Sequence, residues 1–428
     1  MRQALSMAFI FSILAFVSVY SAEAPPAAAM KPVLKKGQRV AVVGDSITEQ
    51  KQYSKNIELY LTACLPELEL HVIQLGWGGE TAPGFQQRMN NDLMPYKPEV
   101  VTTNYGMNDG GYGPFNQGTG QRYNAALTDI VTRLKKAGAI VIVGSPGAVD
   151  SKTFRGGGEA AKVYNATLSK LGEIAQKIAE SNEMPFANVH DPMMAAMEKA
   201  KAVLGEKYDV CGGDGVHPNA NGHLVMAYAY LKAMGVDGSI GTITVDMKGA
   251  ATATDGHKVL SAADGKVELE STKYPFCFFG DEKSPGGTRS ILPYVPFNQE
   301  LNRFLLIVKN LDGDKAKVTW GNESKSFSRQ DLESGINLAD QFINNPFSEP
   351  FRKLDGLIAA KQNYETPMIK EVIHNFGVAE RLLGEKEGEE SALEPLRKKL
   401  YDKYEKLHEA VRAGMVPVKH TLTIAVEK

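Results

Sequence analysis

Short apolar, mostly β-branched runs alternate with longer stretches of helical spacing through the first half of this 428-residue chain. Val40-Ala41-Val42-Val43 is continuous and apolar, the pattern of a strand buried on both faces. Gly44 ends the run and permits a sharp turn. Residues 53–65 carry helical apolar spacing and stop before Pro66. Residues 68–76 alternate, Leu68, Leu70 and Val72 against Glu69 and His71, and read as a strand. The pattern then predicts helices over 85–93, 122–137, 160–181, 195–204 and 222–234, and strands over 100–105, 139–143 and 186–190. Strand and helix alternate about five times, which predicts an α/β fold with a parallel sheet and helices on both faces.

The texture changes near Gly235. Between 241 and 279, short strand-like runs are split by Asp255-Gly256 and Asp264-Gly265, both hairpin signals. Residues 303–309 and 315–320 form another strand pair around Asp312-Gly313. Residues 331–360 and 367–413 are mainly helical, and the charged stretch 385–409 reads as a solvated face. Residues 418–426 alternate as a last strand, expected to return to the second module's own sheet. Four parts follow: a signal peptide over 1–22, a spacer over 23–36, an α/β domain over 37–235 and a mixed β-plus-helix module over 236–428. No Pro/Ser-rich linker separates the last two, so they are expected to pack together.

Composition is that of an ordinary globular protein, 43% hydrophobic and 23% charged. The net charge of −2 gives no electrostatic reason to expect nucleic acid or an anionic membrane as partner. Arg2 and the apolar run 8–20, followed by small residues around Ala22, read as a cleaved export signal, so a periplasmic or extracellular location is expected. No further membrane segment is expected after cleavage. Of the three cysteines, Cys64 shares a helical face with Ile57, Tyr60 and Leu61 and reads as core; Cys211 and Cys277 are able to pair in an oxidising compartment.

Ser46 stands just past the first strand, where parallel sheets build their ligand crevices. Three later stretches give it chemical company. Gly76-Trp77-Gly78-Gly79-Glu80-Thr81 follows the second strand and supplies unhindered backbone N–H donors. Tyr105-Gly106-Met107-Asn108-Asp109 follows the third strand, and Asn108 brings an amide donor to the same edge. Asp214-Gly215-Val216-His217-Pro218 spaces a carboxylate three residues from an imidazole, close enough to hold Nδ1 and leave the other nitrogen free for a hydroxyl proton. Each stretch alone also reads as a helix cap or a strand–helix turn. Together they put a nucleophile, a base, its orienter and oxyanion donors on one edge of one sheet.

These four blocks resemble those of the SGNH hydrolases, also called GDSL-type esterases and lipases, over roughly residues 37–235. The resemblance implies a three-layer α/β/α, flavodoxin-like sandwich with a parallel sheet of about five strands. It implies Ser46 as nucleophile, His217 as general base and Asp214 as its orienting carboxylate. Ser46 and Gly79 N–H groups and the Asn108 amide would form the oxyanion hole, with no cofactor. Two positions depart from the family: Gln74 where asparagine is usual, and Gly78 where serine is frequent, which leaves Gly78 as the alternative to Gly79.

Other polar residues read as structural. His71 sits on the surface face of its strand, and His190-Asp191 lies away from the motif loops. His223 is six residues from His217, which is not a helical metal pair, so no metal site is expected. Trp77 reads either as the floor of a substrate pocket or as core. The expected activity is hydrolysis of short acyl esters of carbohydrate, acetyl above all, through an acyl-Ser46 intermediate. The alternatives are a GDSL-type lipase or lysophospholipase, or a non-catalytic carbohydrate-binding relative. The oligomeric state is not legible.

Overall fold

The structure, a computed structural model, describes residues 32–385 and 391–427. The expected signal peptide and most of the spacer lie outside the described residues. Strands β1 (Arg39–Gly44), β2 (His71–Gly76), β3 (Val100–Asn104), β4 (Ile140–Gly144) and β5 (Phe186–Ala187) form one parallel sheet in the order β2-β1-β3-β4-β5. This is the flavodoxin-like order, whose crevice opens where the chain reverses direction, between β1 and β3. Alternate β1 side chains serve opposite faces. Val40 and Val42 pack with α2 (Tyr53–Ala63) and α7 (Ala220–Ala233), while Ala41 and Val43 pack with α3 (Ala82–Asp92) and α4 (Gln117–Lys136). Helices α5 (Gly157–Ser181) and α6 (His190–Leu204) complete the layers, and the one-turn α1 (Ser46–Glu49) leads off β1.

Two expected boundaries move. The strand expected from residue 68 begins at His71, because Pro66–Leu68 winds into a 3-10 turn with proline at its first position. The strand expected over 186–190 is two residues long. The Val189 and His190 N–H groups leave the ladder to donate to Ser145 Oγ, at 2.8 and 3.0 Å, and α6 starts there instead.

The second region builds two sheets. Strands β6 (Ser239–Asp246), β7 (Ala250–Ala253), β10 (Arg303–Lys309) and β13 (Ile336–Asn337) form one, in the order β13-β10-β6-β7. Strands β8 (His257–Ala263), β9 (Lys266–Ser271), β11 (Lys315–Trp320), β12 (Glu323–Ser328) and β14 (Val418–Glu427) form the other, in the order β12-β11-β14-β9-β8. The last strand thus returns between β11 and β9, as expected. Short helices α8 (Phe297–Leu301), α9 (Arg329–Ser334) and α10 (Leu338–Gln341) precede three longer ones: α11 (Ser348–Pro367), α12 (Phe376–Leu383) and α13 (Glu394–Ala413). Cys64, Cys211 and Cys277 are all buried and free, so the Cys211–Cys277 pair that the sequence allowed does not form.

The two regions share one core. Tyr60 of α2 packs on Phe276 and Phe297 and donates its hydroxyl to the Leu301 carbonyl at 2.6 Å. The aromatic run Tyr274–Phe278 is buried partly in its own module and partly against α2.

A second seam closes the open edge of β2. The Val72 carbonyl accepts from Lys361 Nζ (2.6 Å) and from the Tyr404 hydroxyl (2.8 Å), and the Gln74 N–H donates to Glu365 Oε2 (3.0 Å). Lys361 also pairs with Glu365 and, at 3.0 Å, with Glu58, and all three side chains are buried. Burial works against the Lys361 ammonium, but the two carboxylates outweigh it and raise its pKa. Burial raises both carboxyls. Helix α13 contributes Tyr404 and His408 to this seam, so the charged stretch is not only the solvated face its composition suggested. His71 is half-buried, stacked on His408 at 4.1 Å and paired with Glu405.

Lys361→Met leaves two buried carboxyls without their cation. Breaking such a pair costs about 3–5 kcal/mol. We expect that loss at pH 8 in guanidinium unfolding, and a smaller loss at pH 5, where the unpaired carboxyls take up protons. An unchanged midpoint at pH 8 would show that the cluster carries no stability.

Candidate functional site

Four loops at the carboxyl edge of the sheet meet at the β1/β3 crevice. Gly44 lets the first turn there. A Cβ at Gly44 would lie 2.2 Å from Thr48 Oγ1 and 2.8 Å from the Asn104 carbonyl oxygen. Asp45 then caps α1, its Oδ1 accepting the Ile47 N–H at 2.9 Å. Ser46 is the first helical residue, at the positive end of that turn.

The loop before α7 brings the imidazole. It folds tightly at Gly212 (φ +78°), where a Cβ would overlap the His217 carbonyl oxygen at 1.9 Å. Asp214 Oδ1 accepts from the Val216 and His217 N–H groups at 2.9 and 3.0 Å, which aims Oδ2 at His217 Nδ1, 2.6 Å away. His217 Nε2 lies 2.8 Å from Ser46 Oγ. A carboxylate on Nδ1 makes that nitrogen the N–H and leaves Nε2 to accept the serine proton. Burial raises the Asp214 pKa, but the His217 and Val216 hydrogen bonds outweigh it and hold the carboxyl below its usual range.

The oxyanion side is built from the loops after β2 and β3. The Ser46 and Gly79 N–H groups have no acceptor among the described residues. The Gly78 N–H donates to Glu49 Oε2, so of the two glycines Gly79 has the free donor. Asn108 Nδ2 donates to the Glu80 carbonyl at 2.9 Å and faces Asp45 Oδ2 at 3.5 Å, while its Oδ1 accepts from the Tyr112 hydroxyl at 2.8 Å. Asp109 ties this loop to α3, accepting from the Ala82 and Gly106 N–H groups. Burial pushes Asp45 up to about 7 and Asp109 up to about 6, and raises Glu80 despite its ion pair with Arg88.

Trp77 is half-buried rather than free. Arg88 and Lys370 each lie over its ring at 4.9 Å, and His374 packs against it at 4.7 Å. Beside the Gly78–Gly79 loop runs a groove of about 590 Å³, lined by Trp77, Gly79, Arg88, Asn91, His374 and Arg381. The last two come from the C-terminal region, and nothing in the first domain's pattern pointed to them. Sequence reasoning also missed Glu49, Lys370 and Tyr112, of which only Glu49 sits beside a motif block.

The remaining polar candidates are held structurally. His223 is buried, Nδ1 on the Tyr53 N–H and Nε2 on Gln50, and His190 is paired with Asp191. Among the described residues, no group of three or more His, Cys, Asp or Glu side chains is arranged to hold a metal ion. The arrangement can deprotonate one hydroxyl and offer N–H donors where negative charge develops, the requirements of acyl transfer.

Comparison with known proteins agrees with that chemistry. Residues 42–225 match the GDSL-like lipase/acylhydrolase family. Those residues form a GDSL-type domain. An acetylxylan esterase of Geobacillus stearothermophilus is 25% identical over 222 residues, 47% of this chain and 95% of the relative. The family and this relative make the protein a carboxylic ester hydrolase. A crystal structure of that organism's acetylxylan esterase Axe2 is 24% identical, covers 48% of this chain and 97% of its own, and has a TM-score of 0.40. A gut microbial diltiazem-metabolizing enzyme matches over 93% of this chain and 99% of its own at 21% identity and a TM-score of 0.71. Its fold therefore includes the C-terminal region as well as the GDSL-type domain.

The raised Asp45 carboxyl gives a pH test. Folded Asp45 holds a proton up to about 7, against 3.8 ordinarily, so folding takes up a proton between those values. Stability from this group is therefore lost as pH rises from about 4 to 7. Asp45→Asn keeps the cap acceptor and removes the titration. We expect its melting temperature to gain on wild type at pH 8 relative to pH 5. A difference that is the same at both values would refute the assignment.

Proposed function

We propose that the protein is an exported serine esterase that removes short acyl groups, O-acetyl above all, from carbohydrate. In this reading Ser46 Oγ attacks the acyl carbonyl carbon while His217 Nε2 takes its proton. The negative oxygen is held by the Ser46 and Gly79 N–H groups and the Asn108 amide. The intermediate collapses, the sugar hydroxyl leaves with the proton from His217, and Ser46 is left acylated. Water, deprotonated by His217, repeats the sequence and releases acetate. Asp214 keeps the imidazole in the required tautomer and stabilises it when charged.

One observation carries this reading: the unbroken chain Asp214–His217–Ser46 at 2.6 and 2.8 Å. A non-catalytic relative has no need of that alignment. The choice of acetyl and carbohydrate rests on the acetylxylan esterase relative and on the polar, aromatic lining of the adjoining groove, which suits a hydroxylated leaving group better than a long acyl chain. Export rests on the sequence of the first 22 residues: Arg2, the apolar run 8–20 and the small residues around Ala22.

Ser46→Ala is expected to keep its melting temperature and lose about 10⁴–10⁶-fold in kcat on p-nitrophenyl acetate. A variant retaining a tenth of wild-type turnover would remove Ser46 from the nucleophile role. Acetylated xylo-oligosaccharides are expected to release acetate, and p-nitrophenyl octanoate to be a poorer substrate than the acetate in kcat/KM. The reverse order favours the lipase reading. Turnover of diltiazem without release of acetate from the oligosaccharides would favour a small-molecule esterase instead.

A further inference from the structure

The oxyanion loop is two consecutive glycines, and an outside carboxylate holds it. Glu49, the last residue of the helix that begins with Ser46, accepts the Gly78 N–H on Oε2 and Lys370 Nζ on Oε1, the latter at 2.6 Å. Lys370 belongs to the C-terminal region and lies in a single π-helical turn, Met368–Val372. Its ammonium also sits over the Trp77 ring. We propose that Glu49 is a positioning residue for the oxyanion hole, and that Lys370 lets the C-terminal region set it; this rests on the esterase reading above.

The geometry gives the loop two states to choose between. The Glu80 N–H bonds the Trp77 carbonyl at 3.1 Å, so residues 77–80 form a tight turn with Gly78 and Gly79 in the middle. Gly79 has φ +72° and Gly78 is not in the positive region, the combination of a type II turn. Rotation of the central peptide converts such a turn to type I and turns the Gly79 N–H through roughly half a revolution. With glycine at both central positions nothing in the side chains opposes that rotation. Neither held group is part of that central peptide: the Gly78 N–H bond to Glu49 and the Trp77 N–H bond to the Gly44 carbonyl (3.0 Å) fix the two peptides before it, and so place the turn that carries the Gly79 N–H.

The same contact is close to position 78 itself, where the resembled family often has serine. A Cβ at Gly78 would lie 2.9 Å from Glu49 Oε2. A side chain there would push the Glu49 carboxylate, the free end of a flexible side chain, away from its present position. This chain keeps the contact. The clamp also joins nucleophile and oxyanion donor through one side chain, since Ser46 and Glu49 are the two ends of one helical turn.

The test is made on the full chain with p-nitrophenyl acetate, with melting temperature as the control for folding. Loss of an oxyanion donor costs about 10²–10³-fold in kcat. Glu49→Ala misplaces a donor without deleting it, so a fall of about 10–100-fold in kcat with KM little changed is expected. Affinity for phenylboronic acid, which adds to the serine as a tetrahedral anion, is expected to fall in parallel. Glu49→Gln retains an acceptor for Gly78 and is expected to recover most of kcat. Lys370→Met is expected to lower kcat several-fold in wild type and not at all in Glu49→Ala. Unchanged kcat in folded Glu49→Ala, or a loss confined to KM, overturns the proposal. Should Glu49→Ala fail to fold, Glu49→Asp, one methylene too short to reach Gly78, is expected to show the same loss, and full turnover in it overturns the proposal. Activity surviving in Ser46→Ala would instead overturn the esterase reading, a result the Glu49 variants cannot imitate.

Discussion

Everything at the catalytic edge hangs on how the open edge of β2 is closed. An edge strand presents unpaired carbonyls and N–H groups that must find partners. Here one face of α11 supplies them as charges: Lys361 to the Val72 carbonyl and Glu365 to the Gln74 N–H. Three ionisable groups are thereby buried. Taking them out of water is unfavourable unless each is paired and hydrogen-bonded. Lys361 has three acceptors, Val72, Glu58 and Glu365, for its three protons. Glu58 belongs to α2, so the cluster fastens edge strand, α2 and C-terminal helix at one point. Such a seam is unlike the contact of a tethered module, and the relative matched over 99% of its length has both halves of the fold.

From that seam the consequences reach the chemistry in a few residues. Strand β2 ends at Gly76, and the next residues are the oxyanion loop. The chain that supplies Lys361 and Glu365 continues directly into the π-helical turn that supplies Lys370, and from there into the 3-10 turn that supplies His374. One continuous stretch of the C-terminal region therefore closes the sheet edge, clamps the loop and walls the groove. His374 bonds Asp92, which pairs with Arg88, which pairs with Glu80, whose carbonyl holds Asn108. Both oxyanion loops are thus supported from outside the GDSL-type domain.

The catalytic half was largely legible because its signals are local. A buried strand, a glycine at a close approach and an Asp–x–x–His turn are each dictated by neighbours within a few residues, and all three appear where the sequence puts them. Lys361, Glu365 and Lys370 carried no such signal. On an α-helix a lysine and a glutamate four residues apart are an ordinary surface pair. Only the edge of β2, almost 300 residues earlier in the chain, turns Lys361 and Glu365 into a core element. The charged α13 was misjudged for the same reason: Tyr404 faces a carbonyl on a distant strand. Strand β5 is shorter than its pattern predicts because Ser145 Oγ, from another loop, captures the Val189 and His190 N–H groups.

The crowding of acids behind the site has its own logic. Asp45, Asp109 and Glu80 lie close enough for the charge of the other two to act on Asp45, and Asp45 also faces the Asn108 amide. Fully ionised, they would oppose an oxyanion. Burial raises all three, Asp45 to about 7, so a proton is retained near neutrality on the group nearest the nucleophile's turn. Glu80 meets the same demand differently, through the Arg88 guanidinium, which neutralises it in place. The donors directed at the crevice are backbone N–H groups and one amide; of the acids behind them, Asp45 is partly protonated near neutrality, Glu80 is paired with Arg88, and Asp109 accepts from the Ala82 and Gly106 N–H groups. An oxyanion hole needs its donors fixed before the charge arrives. Buried carboxyl groups that are protonated or paired fix donors through hydrogen bonds without placing full negative charges beside the reacting oxygen.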